Sequence, residues 1–462
     1  MLTIFLSFFS IAVAESSFDD PVVQEINWWA SWPDKELIQI MDIGFSSAPD
    51  VRIAESRLIQ AQAAAVQMRA GFLPSVSASI STNSQPSDAL GFGFGLSSLD
   101  DLIAGMPGQE PVEEEDDSSI FTSATMALKI GLPLDVWGSG YSSYQAGRND
   151  FYAAEAERRQ ALQILSFTIA NTYYDVVLGQ EQLAMLQGQE RVFASILQTT
   201  ELRHKRGEAT VLDVLQQRQQ QRSLETQRLQ VEKMLRLNQL RLRTLLGVTP
   251  DYDLSFSMEL PVLEEIPLEQ KTDWIQTRPD FQSAQFRLQA AEKRKYAAFT
   301  QTLPQFSVGG QLSRQSNYQD DPDEPWNSLN AWAFNSSVSL TLFQGGGQMA
   351  KIRSANAAVV MAEENLRKIE LQAKQEVEQI LLNERIQFDW INAVNAQTAA
   401  ARLAYQEAQN SYLQGRTPFV TVLSTQQSEL PAEFTSLQQY REMIRVRLQT
   451  YFITSYYEEG VQ

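Results

Sequence analysis

The fold of this chain is decided by LQILSFTIANTYYDVVLGQEQLAMLQGQERVFASILQTTELRHKRGEATVLDV, residues 162–214. The stretch contains no proline, and its apolar or small residues alternate between spacings of three and four, which is the heptad pattern of a coiled coil. The residues in this register are Leu162, Leu165, Ile169, Thr172, Val176, Gly179, Leu183, Leu186, Phe193 and Leu197, with Glu190 as the one polar exception. The helical pattern begins at Gly140, so at ~1.5 Å per residue the run up to the turn at 206–214 would be roughly 95 Å long. A second apolar register returns after that turn, which predicts a very long helical hairpin.

Composition excludes several classes of function. The chain has 462 residues, of which 37 are basic and 56 acidic, giving a net charge of −19. Nucleic-acid binding needs clustered positive charge, so no nucleic-acid partner is expected. The absence of cysteine excludes disulfides, zinc-thiolate sites and a lipidated N-terminal cysteine, and no lipid anchor is expected.

The chain offers no catalytic constellation. Its single histidine, His204, lies between Arg203 and Lys205, where a positive charge favours the C-terminal end of a helix. Gly138-Ser139-Gly140 lacks the strand-to-helix context of a nucleophile elbow. We therefore predict no catalytic residue, no metal site and no cofactor.

The N-terminal segment is typical of an exported protein. Residues 1–14, MLTIFLSFFSIAVA, are apolar and end in an A-x-A-like cleavage pattern, which predicts a signal peptide. Residues 15–48 are interpreted as a tail with one short amphipathic helix. No later stretch reaches about 18 consecutive apolar residues, so a membrane would have to be crossed by strands.

The two halves of the chain repeat each other. Residues 278–312 align without gaps with residues 48–82, and Leu73-Pro74 then matches Leu303-Pro304. LPLDVWGSG (132–140) resembles LTLFQGGGQ (340–348), and RGEATVLDV (206–214) resembles QGRTPFVTV (414–422). The chain is therefore a tandem duplication, and this predicts the same order of elements in each half.

The predicted fold class is mixed α+β, mostly α, with four strands and long coiled-coil helices. The first repeat, 49–246, would contain strands 75–82 and 121–130, long helix 140–205, tip turn 206–214 and a return helix to 246. A linker at 247–278 would lead to the second repeat, 279–455, with strands 305–314 and 331–342, long helix 347–413, tip turn 414–422 and a return helix. Residues 456–462 would form a C-terminal tail.

The strands alternate in polarity over about nine to eleven residues, the length of a tilted transmembrane strand. Four strands cannot close a barrel, so three copies giving twelve strands, or four giving sixteen, would be needed. Aromatic residues near the strand ends would form membrane-interface girdles or would cap a soluble sheet: Phe121, Trp137, Trp326, Trp332 and Phe343.

This combination resembles the TolC family of outer-membrane efflux proteins over almost the whole chain. The resemblance rests on the duplication, the Leu-Pro pairs before strands one and three, the glycines at 138 and 345–347, and the G-x-x-x-x-L/V-x-V-L turns. WWASWPDKELIQIM (28–41) is similar to the branch that serves RND-type pumps.

The resemblance implies a homotrimer with a twelve-stranded β-barrel in the lipid of the bacterial outer membrane, above an α-helical barrel in the periplasm. It also implies a passive exit duct that receives substrates from a periplasmic adaptor (membrane fusion) protein and an inner-membrane pump. Segment 247–278 would lie at the equator of the helical barrel.

The resemblance also assigns roles to the two turns. Asp213 and Tyr412 match positions that lock the closed tip, although an acid such as Asp213 also suits the first turn of any helix. The adaptor would dock on Gly207, Glu208, Ala209, Thr210, Gly415, Arg416, Thr417 and Pro418.

The chain departs from the family at the second turn. Thr421 and Ser424 stand where two inward aspartates are common, and Arg416 lies one residue early, so we expect no acidic gate ring.

Two other functions remain open from the sequence. A type I protein-secretion exit duct would share the same architecture. A soluble periplasmic coiled-coil scaffold would explain the helices and the acidity, but not four alternating strands placed symmetrically in a duplicated chain.

Overall fold

The computed structural model describes residues 28–86, 120–257, 260–261, 263, 274–318 and 326–458. Its strands are β1 (Ser75–Pro86), β2 (Ile120–Leu134), β3 (Gln305–Tyr318) and β4 (Trp326–Ser339). Its α-helices are α1 (Lys35–Ser47), α2 (Pro49–Ala70), α3 (Ser139–Lys205), α4 (Val211–Leu246), α5 (Pro279–Thr300), α6 (Gly347–Leu413) and α7 (Phe419–Glu458). The predicted fold class, mostly helical with four strands, is confirmed. Within these ranges, no helix combines the length and the apolar character needed to cross a membrane.

The chain divides into two compact units. The helical unit comprises the described residues within 1–62, 149–289 and 360–462, and the sheet unit comprises those within 63–148 and 290–359. The predicted signal peptide, residues 1–14, lies outside the described residues.

The sheet unit contains one four-stranded sheet in the order β1-β2-β3-β4, with antiparallel neighbours throughout. Because side chains alternate between the two faces of a strand, the register determines which residues share a face. The apolar face carries Val76, Ile80, Met126, Leu128, Ile130, Leu312, Trp332, Phe334 and Val338. The opposite face carries hydroxyl and amide side chains such as Ser77, Gln311 and Asn335. The alternation seen in the sequence therefore gives a sheet with one apolar and one polar face.

The strands differ in extent from their prediction. β1 and β3 continue to Pro86 and Tyr318 because the backbone ladder runs on through polar residues that the apolar alternation did not include. β2 continues to Leu134 because residues 131–134 pair with the first residues of β3. β4 spans 326–339 instead of 331–342. It ends at Ser339 because its partner strand β3 begins opposite that residue, at Gln305, which leaves residues 340–342 without a neighbour.

The heptad register of α3 forms a packed seam in the helical unit. Leu162, Ile169 and Leu186 are at most 1% exposed. Gly179 lets α4 approach closely, since a Cβ there would lie 3.2 Å from Leu235. The polar exception, Glu190, accepts a 3.0 Å hydrogen bond from Arg228 of α4, so it joins the two helices as an ion pair.

The N-terminal tail packs on α3 through a buried polar centre. Asp34 caps α1 by accepting hydrogen bonds from the backbone N–H groups of Glu36 and Leu37. The hydroxyls of Tyr173 and Tyr174 donate to the same carboxylate at 3.0 and 3.1 Å. Trp28, Trp29, Trp32, Leu37, Ile40, Met41 and Phe45 surround it with apolar surface. This cluster fixes the tail against the long helix.

Candidate functional site at the two helix turns

The two turns stop their long helices in the same way. At the first turn, Gly207 has a φ of +78° and its N–H binds the carbonyl of His204, while the N–H of Glu208 binds that of Arg203. This is a Schellman motif, in which a left-handed glycine satisfies the last helical carbonyls.

The second turn repeats the motif 208 residues later. Gly415 has a φ of +74°, its N–H binds the carbonyl of Tyr412, and the N–H of Arg416 binds that of Ser411. The sequence match between the turns is therefore a match of backbone hydrogen bonds.

Both turns are shorter than predicted. α4 resumes at Val211 and α7 at Phe419, so the last residues of segments 206–214 and 414–422 are helical. The apolar positions in these segments belong to the first turns of the return helices, where Val214 and Val422 are buried.

Asp213 serves its own helix. Its carboxylate accepts hydrogen bonds from the N–H and the hydroxyl of Thr210, and its N–H donates to the hydroxyl oxygen of Thr210. This reciprocal arrangement is a capping box. Within the protomer, Asp213 and Tyr412 have different partners, so the structure does not bring these two candidate gate residues together.

Tyr412 lies in a packed cluster that joins α3 to the second hairpin. It is 5% exposed, and its hydroxyl lies 3.3 Å from that of Thr200. Arg203 donates to the carbonyl of Tyr412 at 3.0 Å, and its guanidinium carbon lies 4.8 Å from the centre of the tyrosine ring. Phe419 packs edge-on against the same ring, with ring centroids 5.5 Å apart. Tyr412 is therefore a contact between α3 and the second hairpin.

The other candidate residues of the second turn make fewer contacts than Tyr412. Arg416 is exposed and forms no ion pair with any described residue. Ser424 donates to the carbonyl of Thr421, and the N–H of Thr421 binds the carbonyl of Pro418. The Thr417 hydroxyl is buried and has no hydrogen-bond partner among the described residues. Thr421 stands in the place of Asp213, so this turn lacks an acidic cap.

The first turn presents more charge. Glu208 is exposed and lies 3.8 Å from Arg203. The Nδ1 atom of His204 lies 2.9 Å from the carbonyl oxygen of Ala209. Exposed basic side chains at 204–206 thus surround Gly207 at the end of α3.

A polar seam links α6 to α7 above the second turn. Arg402 of α6 binds Glu433 at 2.6 Å, and Arg447 binds the buried Glu384 at 2.5 Å. Glu429, one turn before Glu433, is 4% exposed and its Oε2 atom has no hydrogen-bond partner among the described residues. Burial, followed by the charge of Glu433, raises the pKa of Glu429 to about 7.

The predicted interface aromatics divide into three groups. Trp332 and Phe343 are 79% and 85% exposed. Trp137 donates its Nε1 hydrogen to the carbonyl of Pro304 at 2.7 Å, which joins the start of β3 to the segment after β2. The side chains of Phe121 and Trp326 lie outside the described part of the chain.

Sequence reasoning missed Thr200 and Glu429. Thr200 lies three residues beyond the last seam residue, Leu197, which is the next step of the register. Glu429 lies seven residues after the buried Val422, but the same register holds the buried polar residues Gln426 and Glu433, so the sequence carries no signal that singles out Glu429 or its lack of a partner.

Comparison with known proteins identifies the family. Residues 45–248 and 272–446 match the family model described as outer membrane efflux protein. The chain is 26% identical over 416 residues to the pyoverdine export outer membrane protein OpmQ of Pseudomonas putida, covering 88% of this chain and 83% of OpmQ. It is 25% identical over 415 residues to the multidrug resistance outer membrane protein MdtP of Escherichia coli, covering 88% and 82%.

Solved structures share the fold. The Campylobacter jejuni CmeC outer membrane channel superposes with a TM-score of 0.79 at 18% identity, covering 94% of this chain and 88% of CmeC. The Vibrio cholerae outer membrane protein VceC superposes with a TM-score of 0.75 at 20% identity, covering 93% and 98%. Since the family model spans most of the sequence, in both halves of the duplication, the chain belongs to the outer membrane efflux protein family.

Proposed function

We propose that three copies of this chain assemble into a duct that carries substrates out through the outer membrane. The family is one of outer-membrane efflux channels. The observation that supports the trimer is the sheet, whose outer strands β1 and β4 each have a neighbour on one side only among the described residues.

The apolar face of the sheet supports insertion into lipid. Ile80, Trp332 and Phe334 are 73%, 79% and 71% exposed, more than a soluble sheet of this size leaves uncovered. In lipid, unpaired strand edges are not tolerated, so β1 of one copy must pair with β4 of the next. Three copies would close a barrel of twelve strands, with the hydroxyl and amide face lining the duct.

The two turns are the proposed contact with a periplasmic adaptor protein, which would link the duct to an inner-membrane pump. Their exposed residues, Glu208 and Arg416 among them, stand at matched places in the two repeats. Tyr412, held by Thr200 and Arg203, is the proposed lock of the closed state. Opening needs an adaptor that binds the open arrangement better than the closed one.

Small molecules are the proposed cargo. The relatives are named for pyoverdine export and multidrug resistance, which favours an RND-type or similar small-molecule pump over the alternative, type I protein secretion.

Membrane fractionation followed by the mass of the detergent-extracted particle tests this proposal. We expect the outer-membrane fraction to yield a particle of three protomers after the mass of bound detergent is subtracted. A monomer or dimer that stays in solution without detergent would contradict it and would favour the periplasmic scaffold instead.

A further inference from the structure

The four strands carry only two charged side chains, and both are cations. Lys129 lies on β2 and Arg314 on β3, whereas β1 and β4 have none, in a chain whose net charge is −19. The two cations stand on opposite faces. Lys129 pairs with Ser77 and Gln311 on the polar face, while Arg314 pairs with Met126 and Asn330 on the apolar face. An exposed arginine on the apolar face therefore needs an explanation.

Arg314 lies where the apolar face ends. Towards the helices, the same face continues through Leu312, Trp332 and Phe334. Towards the hairpin ends the same face carries a hydrogen-bonded hydroxyl pair, Ser316 and Ser328 at 3.0 Å, followed by the amphipathic side chain of Tyr318. Arg314 thus lies where the continuous apolar surface gives way to polar and amphipathic side chains.

The distance along β3 also places Arg314 near the edge of the apolar band. Arg314 is eight residues from Phe306, and at ~3.4 Å per residue with a tilt of ~40° the two are roughly 20 Å apart along the membrane normal. An outward-facing apolar band is about 25 Å tall, so an arginine at this height is near its edge. A guanidinium is costly at the midplane of a bilayer and tolerated at its interface.

The surroundings of Arg314 fit an amphiphile better than a soluble anion. Met126, Leu312, Arg314 and Asn330 line one open groove. Met126 and Leu312 are 56% and 60% exposed, so a ligand at Arg314 must also cover apolar surface. Within the described residues, the guanidinium of Arg314 forms no ion pair, so its donors are free for a ligand. Arginine binds phosphate through a planar fork of N–H donors, and the Asn330 amide adds a further donor.

We propose that Arg314, assisted by Asn330, binds the phosphate group of a membrane lipid whose acyl chains lie along Met126, Leu312 and Trp332. This inference rests on the proposed function, because it needs the sheet to be inserted in a bilayer. Each strand is connected to a helix at the end opposite its hairpin, so in the proposed assembly the lipid would belong to the leaflet opposite the periplasm.

The first test uses the unmodified protein. The detergent-extracted particle is mixed with a diphosphorylated lipid A or with the same glycolipid after removal of both phosphates, and bound lipids are counted by native mass spectrometry. We expect retention of the phosphorylated lipid to exceed that of the dephosphorylated lipid at least about fivefold. Inorganic phosphate at millimolar concentration should not displace it, because free phosphate gains nothing from the apolar groove.

Variants then assign the effect to one residue. Arg314→Gln should abolish the preference for the phosphorylated lipid, and Arg314→Lys should keep part of it, because lysine retains the charge without the fork. Lys129→Gln is the matched control, since it removes the other cation of the same sheet on the opposite face, and it should leave the preference unchanged.

Equal retention of the two glycolipids by the unmodified protein would overturn the inference, even if Arg314→Gln failed to fold. A preference that survives Arg314→Gln, or that Lys129→Gln removes equally, would also overturn it. If the unmodified protein is a trimer that retains both glycolipids equally, only this inference is overturned. If it is a monomer that stays in solution without detergent, the proposed function is overturned as well.

Discussion

Glu429 has a buried carboxyl group with an oxygen atom that is unsatisfied among the described residues. Its Oε2 atom is buried without a partner, Glu433 of the same helix lies nearby, and across the seam it faces Tyr405 and Arg402, whose guanidinium already binds Glu433. Its folded-state pKa of about 7 lies above the usual value near 4.5, so folding favours the neutral form. The stability that comes from this group is present below the usual pKa and is lost as pH rises through about 7.

Glu429→Gln should therefore stabilise the helices at alkaline pH. At about pH 8.5 we expect the free energy of unfolding to rise by on the order of 2 kcal/mol, and at about pH 4 to change little. Denaturant titration at both pH values measures this. Glu433→Gln, which removes the partner of Arg402, is the control and should destabilise at neutral pH. An effect of Glu429→Gln that does not depend on pH would contradict the argument.

Asp34 is also buried, but it has the hydrogen-bond partners that Glu429 lacks, since two backbone N–H groups and two tyrosine hydroxyls donate to its carboxylate. Asp34→Ala should lower the free energy of unfolding by about 3 kcal/mol, since it removes a helix cap and leaves two buried tyrosine hydroxyls short of an acceptor. Tyr174→Phe leaves the cap in place but removes one of those donors and the acceptor of the buried Trp32 Nε1 hydrogen, and it should cost about 2 kcal/mol. Equal losses in the two variants, measured by denaturant unfolding, would show that the cap contributes nothing.

At the scale of elements, the sequence predicted the long helices well because their signal is local and repeated. The heptad register of 162–197 continues in one face of α3, and the Gly-bearing turns have the backbone geometry that glycine permits. Strand ends could not be predicted, because they depend on the partner strand: Ser339 ends β4 only because β3 begins at Gln305.

The site at the turns could be predicted only in part for the same reason. Positions in a turn can be matched from sequence, but contacts between distant helices cannot. Tyr412 and Asp213 were named together, yet Tyr412 contacts Thr200 and Arg203 of α3, and Asp213 caps α4.

These contacts predict different outcomes for two candidate gate residues. Tyr412→Phe combined with Arg203→Gln should raise the resting single-channel conductance in planar bilayers, because the hydrogen bonds of Tyr412 with Thr200 and Arg203 near the tip are weakened or lost. Asp213→Ala should cost about 1 kcal/mol of helix stability and leave the resting conductance unchanged. Conductance that rises only in Asp213→Ala would place the lock between protomers instead.

At the scale of the whole molecule, the family resemblance named from sequence is confirmed. The duplication made the resemblance recognisable, because weak motifs that occur in the same order in both halves of the chain are more specific than motifs that occur once. The number of copies stays a proposal, because the strands that would pair with the sheet edges β1 and β4 belong to other protomers.

The absence of cysteine offers a direct test of that assembly. A cysteine at Ser79 of β1, combined in turn with one at Ala331, Ala333 or Asn335 of β4, should form a disulfide between protomers in at least one register. All four positions lie on the polar face. Denaturing electrophoresis without reductant should then show linked trimers. Ser79 combined with Gln311 of β3 is the control and should stay unlinked; linkage there as well would contradict the proposed β1–β4 pairing.

The two turns end their long helices with the same Schellman motif, but the return helices that follow begin differently. α4 begins with the capping box of Thr210 and Asp213, whereas at the matched places α7 has Pro418 and Thr421, and its first backbone donors have no carboxylate. Unravelling the first turn of α7 therefore costs less than unravelling that of α4. In the proposed trimer this would give six tips, of which three begin their return helix with a capping box and three without one. Opening would then begin at the first turns of the three α7 helices, while the first turns of the three α4 helices keep their structure. Backbone amide hydrogen exchange should therefore be faster at 419–421 than at 211–213.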